Sequence, residues 1–188
     1  MITEESAFSQ LEPHLRRIWA CYAAAFEKYR ADPYRHLHRK ATRANLISDL
    51  VFAEVVSEFD EVPGVTIVQS GIDQMRYLSI SESLNLWFKK LDDARNSANY
   101  PTRAARRRDR GQESLFGEEP SLILAGYQLT TEETSIKCLS FSPPKFVKPR
   151  WWFDIFEMKM PIVMHPTVNS AREVRLMVKR SSQQLRIG

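Results

Sequence analysis

Val65-Thr66-Ile67-Val68-Gln69, Met75-Arg76-Tyr77-Leu78-Ser79-Ile80 and Leu84-Asn85-Leu86-Trp87-Phe88-Lys89-Lys90-Leu91 follow one another with short polar breaks between them. The first is β-branched and the other two alternate, which is the pattern of strands half-buried on a sheet. Ser70-Gly71-Ile72-Asp73 and Ser81-Glu82-Ser83 are short enough to close antiparallel hairpins. Successive strand residues point to opposite faces, so at most one of Trp87 and Phe88 faces a one-sided core. This stretch predicts a three-stranded group.

Working outward, a second group of three strands is expected at Leu122–Leu129, Ser135–Phe141 and Trp151–Glu157. The polar turn Thr130–Thr134 and the proline-rich Ser142–Pro149 separate them. Ser170–Leu185 reads as a final basic helix or a tail. Upstream, Val62-Pro63-Gly64 turns the chain out of a helix over Lys40–Phe59, whose apolar side is Leu46, Ile47, Leu50, Val51, Val55 and Phe59. An earlier helix, from about Ser6 to Arg30, carries Phe8, Leu11, Leu15, Ile18, Tyr22, Phe26 and Tyr29 in one stripe. Asp32-Pro33 ends it, because proline lacks the N–H and restricts the residue before it. The near-heptad spacing and this joint mark Phe8, Leu11, Leu15, Ile18, Tyr22 and Phe26 as an oligomerisation or docking surface.

The expected class is α+β: N-terminal helices, then a mostly antiparallel sheet of about six strands in two three-strand groups, with a basic linker between them. The expected division is an arm at 1–32, a core domain at 33–160 and a basic extension at 161–188. With 188 residues, 43% of them hydrophobic, there is enough apolar material for one sizeable core. Cys21 and Cys138 have no paired spacing and read as free thiols. The acidic start Glu4-Glu5 is unlike a signal peptide, and no apolar run approaches the roughly 20 residues of a membrane helix. A soluble, cytoplasmic protein away from membranes is expected.

Charge is unevenly placed. Arg103, Arg106, Arg107, Arg108 and Arg110 stand against Asp109 alone, which matches the net charge of +4 of the whole chain. Pro101 can open a short helix carrying them. Lys89 and Lys90 precede this stretch, and Arg39, Lys40 and Arg43 sit at the start of the second helix. Cations there oppose the positive end of the helix dipole, which implies a use outside the fold. These ten residues are the expected contact for nucleic acid, DNA or RNA, or for an acidic protein partner.

Catalytic chemistry is poorly supported. His36 and His38 have arginine and lysine neighbours and no carboxylate or thiol to complete a metal set, so no metal and no cofactor are expected. There is no Gly-x-Ser-x-Gly elbow and no Gly-rich phosphate loop. A degenerate restriction-endonuclease-like nuclease could draw on Glu54, Glu58 or Asp73, but the third strand lacks the acid that a Mg²⁺ site needs. Gln112-Glu113-Ser114-Leu115-Phe116 resembles the peptide with which bacterial proteins dock on the DNA sliding clamp, with Gln112, Leu115 and Phe116 as the contact residues.

Leu37-His38-Arg39-Lys40-Ala41-Thr42-Arg43-Ala44-Asn45-Leu46-Ile47-Ser48-Asp49-Leu50-Val51-Phe52 resembles a group of small bacterial proteins, as do Trp87–Asp92, Asn99–Thr102 and Ala125–Leu129. Members of that group are encoded beside helix-turn-helix regulators fused to zinc-peptidase-like domains, in settings similar to toxin–antitoxin and phage-defence modules. The resemblance implies a regulatory or partner-binding role with a protein of the same module, and it carries no catalytic residues. The expected function is therefore non-catalytic binding.

Overall fold

Thr3 opens the first helix, its Oγ1 accepting from the Ser6 amide at 3.2 Å, and Glu4 and Glu5 in the first turn suit the helix dipole. The computed structural model describes residues 2–69, 76–97, 120–130, 135–144, 151–158 and 175–180. Helix α1 spans Glu4–Leu11 and α2 spans Leu15–Ala31, with a 3₁₀ turn at Glu12–His14 between them. One continuous helix was expected. Pro13 cannot donate to the carbonyl four residues back and its ring crowds that carbonyl, so the chain tightens for a turn and resumes. Asp32, extended before Pro33, ends α2.

Helix α3, Lys40–Phe59, returns along α2. The His14 and Phe59 rings meet at one end of the hairpin and those of Tyr29 and His38 at the other. Val62–Val65 is a tight turn in which Gly64 takes φ +74°, a conformation that favours glycine.

Among the described residues seven strands follow: β1 Val65–Gln69, β2 Arg76–Ile80, β3 Leu84–Lys90, β4 Ser121–Leu129, β5 Ile136–Ser142, β6 Phe153–Met158 and β7 Arg175–Arg180. They form one sheet in chain order. Every neighbouring pair is antiparallel except β3 and β4, which run parallel with Leu84 opposite Ser121 and Phe88 opposite Ala125. That pair makes the sheet continuous where two separate groups were expected. The Ser170–Leu185 expectation is also corrected: Arg175–Arg180 is a strand paired with β6.

The helices cover one face. Leu78, Leu86, Phe88, Ile123, Ala125, Leu139, Phe141 and Phe153 point toward them and share a single core with both helical layers. Phe88 is the core-facing member of the Trp87–Phe88 pair. The docking-arm reading of the first helix is overturned here. Leu11, Leu15, Ile18, Tyr22 and Phe26 are buried in the chain's own core, Tyr22 against Phe88 and Tyr127 of the sheet, and Phe8 packs edge-on against Phe153. The stripe already has its partner, so the expected boundary at residue 32 does not separate an arm from a domain.

Two polar contacts tie the helices to the parallel seam. Tyr22 donates its hydroxyl to the Ala125 carbonyl at 2.5 Å, and Ser48 Oγ donates to the Phe88 carbonyl at 3.1 Å. Burial raises the Tyr22 phenol well above its ordinary range, so the donor stays protonated. Among the described residues, no helix is long and apolar enough to cross a membrane.

Candidate functional site

The turn between α2 and α3 is built outward from Asp32. Its Oδ1 accepts from the Tyr34 amide at 2.8 Å, and Tyr29 donates its hydroxyl to the Arg35 carbonyl at 3.3 Å. Arg35 donates to the Arg30 carbonyl at 3.0 Å, satisfying an acceptor at the end of α2. Residues Arg35–Leu37 close a 3₁₀ turn, and His38 faces Asp32. The backbone of this tip is thus held from both sides. Tyr34 and Leu37 nevertheless stand 65% and 67% exposed.

The cations sit beside them. Arg39 is the extended residue that precedes α3, and Lys40 opens the helix. Both are exposed, and neither side chain forms an ion pair with any described residue. Lys28, Arg30 and Arg76 differ in this respect, being matched with Glu54, Glu27 and Asp49. The chain has no Asp or Glu between Asp32 and Asp49. Arg43, one turn into α3, is half-buried and engaged.

Register places this tip relative to the sheet. Ser48 lies over Phe88 and Asp49 pairs with Arg76, so α3 begins beyond the end of β3 that carries Lys90. Lys40 is about 12 Å further along the helix axis than Ser48. Lys90 shares the helix-covered face with Phe88, whereas Lys89 is on the other face with its Nζ 4.8 Å from the Trp87 ring centre. The structure therefore brings Arg39, Lys40, Arg43 and Lys90 to one end and one side, and sends Lys89 away from them. Arg103, Arg106, Arg107, Arg108 and Arg110 lie outside the described residues, as do Gln112, Leu115, Phe116 and Asp73.

The second sheet face holds a polar cluster that sequence reasoning missed. Ser140 sits between Gly126 of β4 and Asp154 of β6, and Cys138 sits opposite Gln128. Arg95 donates from Nε to Asp154 Oδ1 at 3.1 Å and from its terminal nitrogen to Oδ2, and lies over the Trp152 ring. Ser140 Oγ donates to Asp154 Oδ1 at 2.6 Å. Three donors thus converge on the Asp154 carboxyl group and hold Arg95 against the sheet. Its hydrogen bonds raise the Arg95 pKa further.

What brings Arg95 there is Leu91. The Leu91 amide donates to the Tyr127 carbonyl, Leu91 pairs with Ser97, and Gln128 Nε2 donates to the Asp92 carbonyl. The turn from Leu91 to Ser97 is thereby folded back over the sheet, with Arg95 at φ +59°. Gly126 makes room for this, since a Cβ there would stand 2.1 Å from Leu91 Cγ. Gly126→Ala is expected to cost about 1–3 kcal/mol and to loosen the Arg95–Asp154 pair. An unchanged unfolding midpoint would show that Leu91 does not depend on the gap.

Burial, with Glu58 and Glu54 nearby, pushes Cys21 up to about 12, and burial with Asp154 raises Cys138. Glu54 is held by Lys28 at 2.5 Å, and Glu58 stands exposed next to it on α3. Among the described residues no three His, Cys, Asp or Glu gather as a metal site requires.

Comparison with protein-family models, with curated proteins and with solved structures finds no match.

The site thus rests on its own residues. For the polar face, one signal was available in the sequence: Cys138, Ser140 and Ser142 alternate with the core residues Leu139 and Phe141 in β5. Two faces of different chemistry are written there. For the tip, the clue was the run from Pro33 to Ser48 without a single acid.

Proposed function

We propose that the chain is a non-catalytic binding protein of a bacterial module of toxin–antitoxin or phage-defence type, and that it binds nucleic acid through the basic end of its helical hairpin. The observation that carries this reading is the run from Pro33 to Ser48 without an acid, in which Arg39 and Lys40 stand exposed and, among the described residues, without a carboxylate partner. Unpaired cations beside one another repel, and a polyanion that neutralises them releases its own counterions on binding. Lys90 adds a positive residue on the same side, and the chain proceeds from Lys90 toward the arginines at 103–110. The module assignment draws on the resemblance of Leu37–Phe52, Trp87–Asp92 and Ala125–Leu129. In this chain those segments meet, through Ser48 on Phe88 and Leu91 on Tyr127.

The test is binding of a fluorescent oligonucleotide at several salt concentrations. The slope of log K against log salt is expected to be negative, and to flatten by about 0.7–0.9 for each phosphate that Arg39→Ala or Lys40→Ala leaves unneutralised. Binding by the unmodified chain that ignores salt, or no binding at low salt, would remove the reading.

A further inference from the structure

We infer that the nucleic acid taken at this end is single-stranded, and that Tyr34 is the residue on which an unpaired base stacks. The inference rests on the proposed binding function and narrows it. A single exposed tyrosine is ordinary on a protein surface. Three features set Tyr34 apart. The turn that carries it is pinned by Asp32 Oδ1 on its own amide, by Tyr29 on the Arg35 carbonyl, and by Arg35 on the Arg30 carbonyl. The same turn uses its other tyrosine, Tyr29, as a buried strut, so the outward placement of Tyr34 is not a lack of room inside for aromatic rings. Finally, Leu37 is equally exposed one turn on, and from Pro33 through Lys40 the charged residues are all basic, with the one nearby carboxylate, Asp32, engaged by the Tyr34 amide and His38.

An aromatic face exposed to water beside cations suits a ligand that offers phosphates and bare base faces together. Duplex nucleic acid stacks its bases on each other and presents only their edges; a single strand offers the faces themselves. The hydrogen bonds that pin this turn lower the ordering cost of binding, because the backbone under the ring already has its partners.

The experiment compares a fluorescein-labelled oligo-dT strand with a labelled DNA hairpin duplex, both bound by the full-length protein. Tyr34→Ala is expected to weaken oligo-dT binding about tenfold while leaving its salt slope and the hairpin affinity unchanged. Tyr34→Trp should keep or improve it. Arg39→Ala with Lys40→Ala should lower binding of both and flatten both slopes. Equal oligo-dT affinity of the Tyr34→Ala and unmodified proteins, with the salt response intact, would overturn the stacking inference and leave the nucleic-acid reading standing. Binding of neither DNA, with polyglutamate bound instead at low salt, would overturn both and assign the tip to an acidic polypeptide. Tyr34 is a surface residue, so circular dichroism of each variant should match the unmodified chain.

Discussion

Removing residues 1–31 is expected to leave a chain that does not fold. The helical segment they form supplies Leu11, Leu15, Ile18, Trp19, Tyr22 and Phe26 to the common core, all buried. Each such side chain is worth about 1.5–3 kcal/mol in burial, and together they are comparable with the roughly 5–15 kcal/mol by which whole domains are usually stable. The loss is compounded on the sheet, where Leu139, Phe141 and Phe153 lose their cover. Trp151 also loses the Ile2 carbonyl that accepts from its indole N–H at 3.2 Å. Because a truncated chain can precipitate for several reasons, Ile18→Ala gives a finer test. It should cost about 2–5 kcal/mol, read as a lower urea midpoint at constant m. A soluble, cooperatively folding Asp32–Gly188 protein would show that the helix is dispensable and would restore the docking-arm reading.

Asp154→Ala should be the most damaging single change on the opposite face, costing about 3 kcal/mol. Asp154 is 6% exposed, and its loss leaves Arg95 with only its 3.5 Å hydrogen bond to the Asp93 carbonyl and strips Ser140 of its acceptor. Breaking one half of a buried pair leaves the other charge without compensation, which is why the penalty exceeds the net value of the pair itself. The Arg95 side chain keeps 22% exposure, and water reaching it holds the effect to the lower part of the usual range. Arg95→Met with Asp154→Leu should recover much of the loss, since two apolar groups leave no orphaned charge. A destabilisation below about 1 kcal/mol for Asp154→Ala would place the pair among solvated surface ion pairs.

The helices and strands were legible because their patterns are local. The span of α3 and that of β1 agree with their expected limits, and β2 through β6 begin and end within two residues of theirs. What covers each element is not local information. The Phe8–Phe26 stripe reads identically whether its partner is a sheet in the same chain or a second chain, and only the apolar face of β3 to β6 decides between them. Pro13 was visible, but its effect depends on whether a tightened turn can be accommodated, and here the core on either side resumes in phase. The Arg95–Asp154 pair was illegible for a related reason. Its members belong to a loop and to a strand far apart in sequence, joined by a backbone turn that the absence of a side chain at Gly126 permits. The tip was partly legible: its cations were evident, whereas the outward Tyr34 and the separation of Lys89 from Lys90 followed from the turn and the sheet register.

The parallel seam has a consequence for how the molecule assembles. The pairings on either side of it, β2 with β3 and β4 with β5, join strands linked by brief turns, while β3 and β4 are separated in sequence by the long stretch between Lys90 and Ser121. Such a pairing carries a loop-closure cost before it returns any stabilisation. Tyr22 and Ser48 hold the carbonyls of Ala125 and Phe88, two residues that face each other across that seam. The helical hairpin therefore grips one strand from each half, across the pairing that closes the longest loop in the described sheet up to β6.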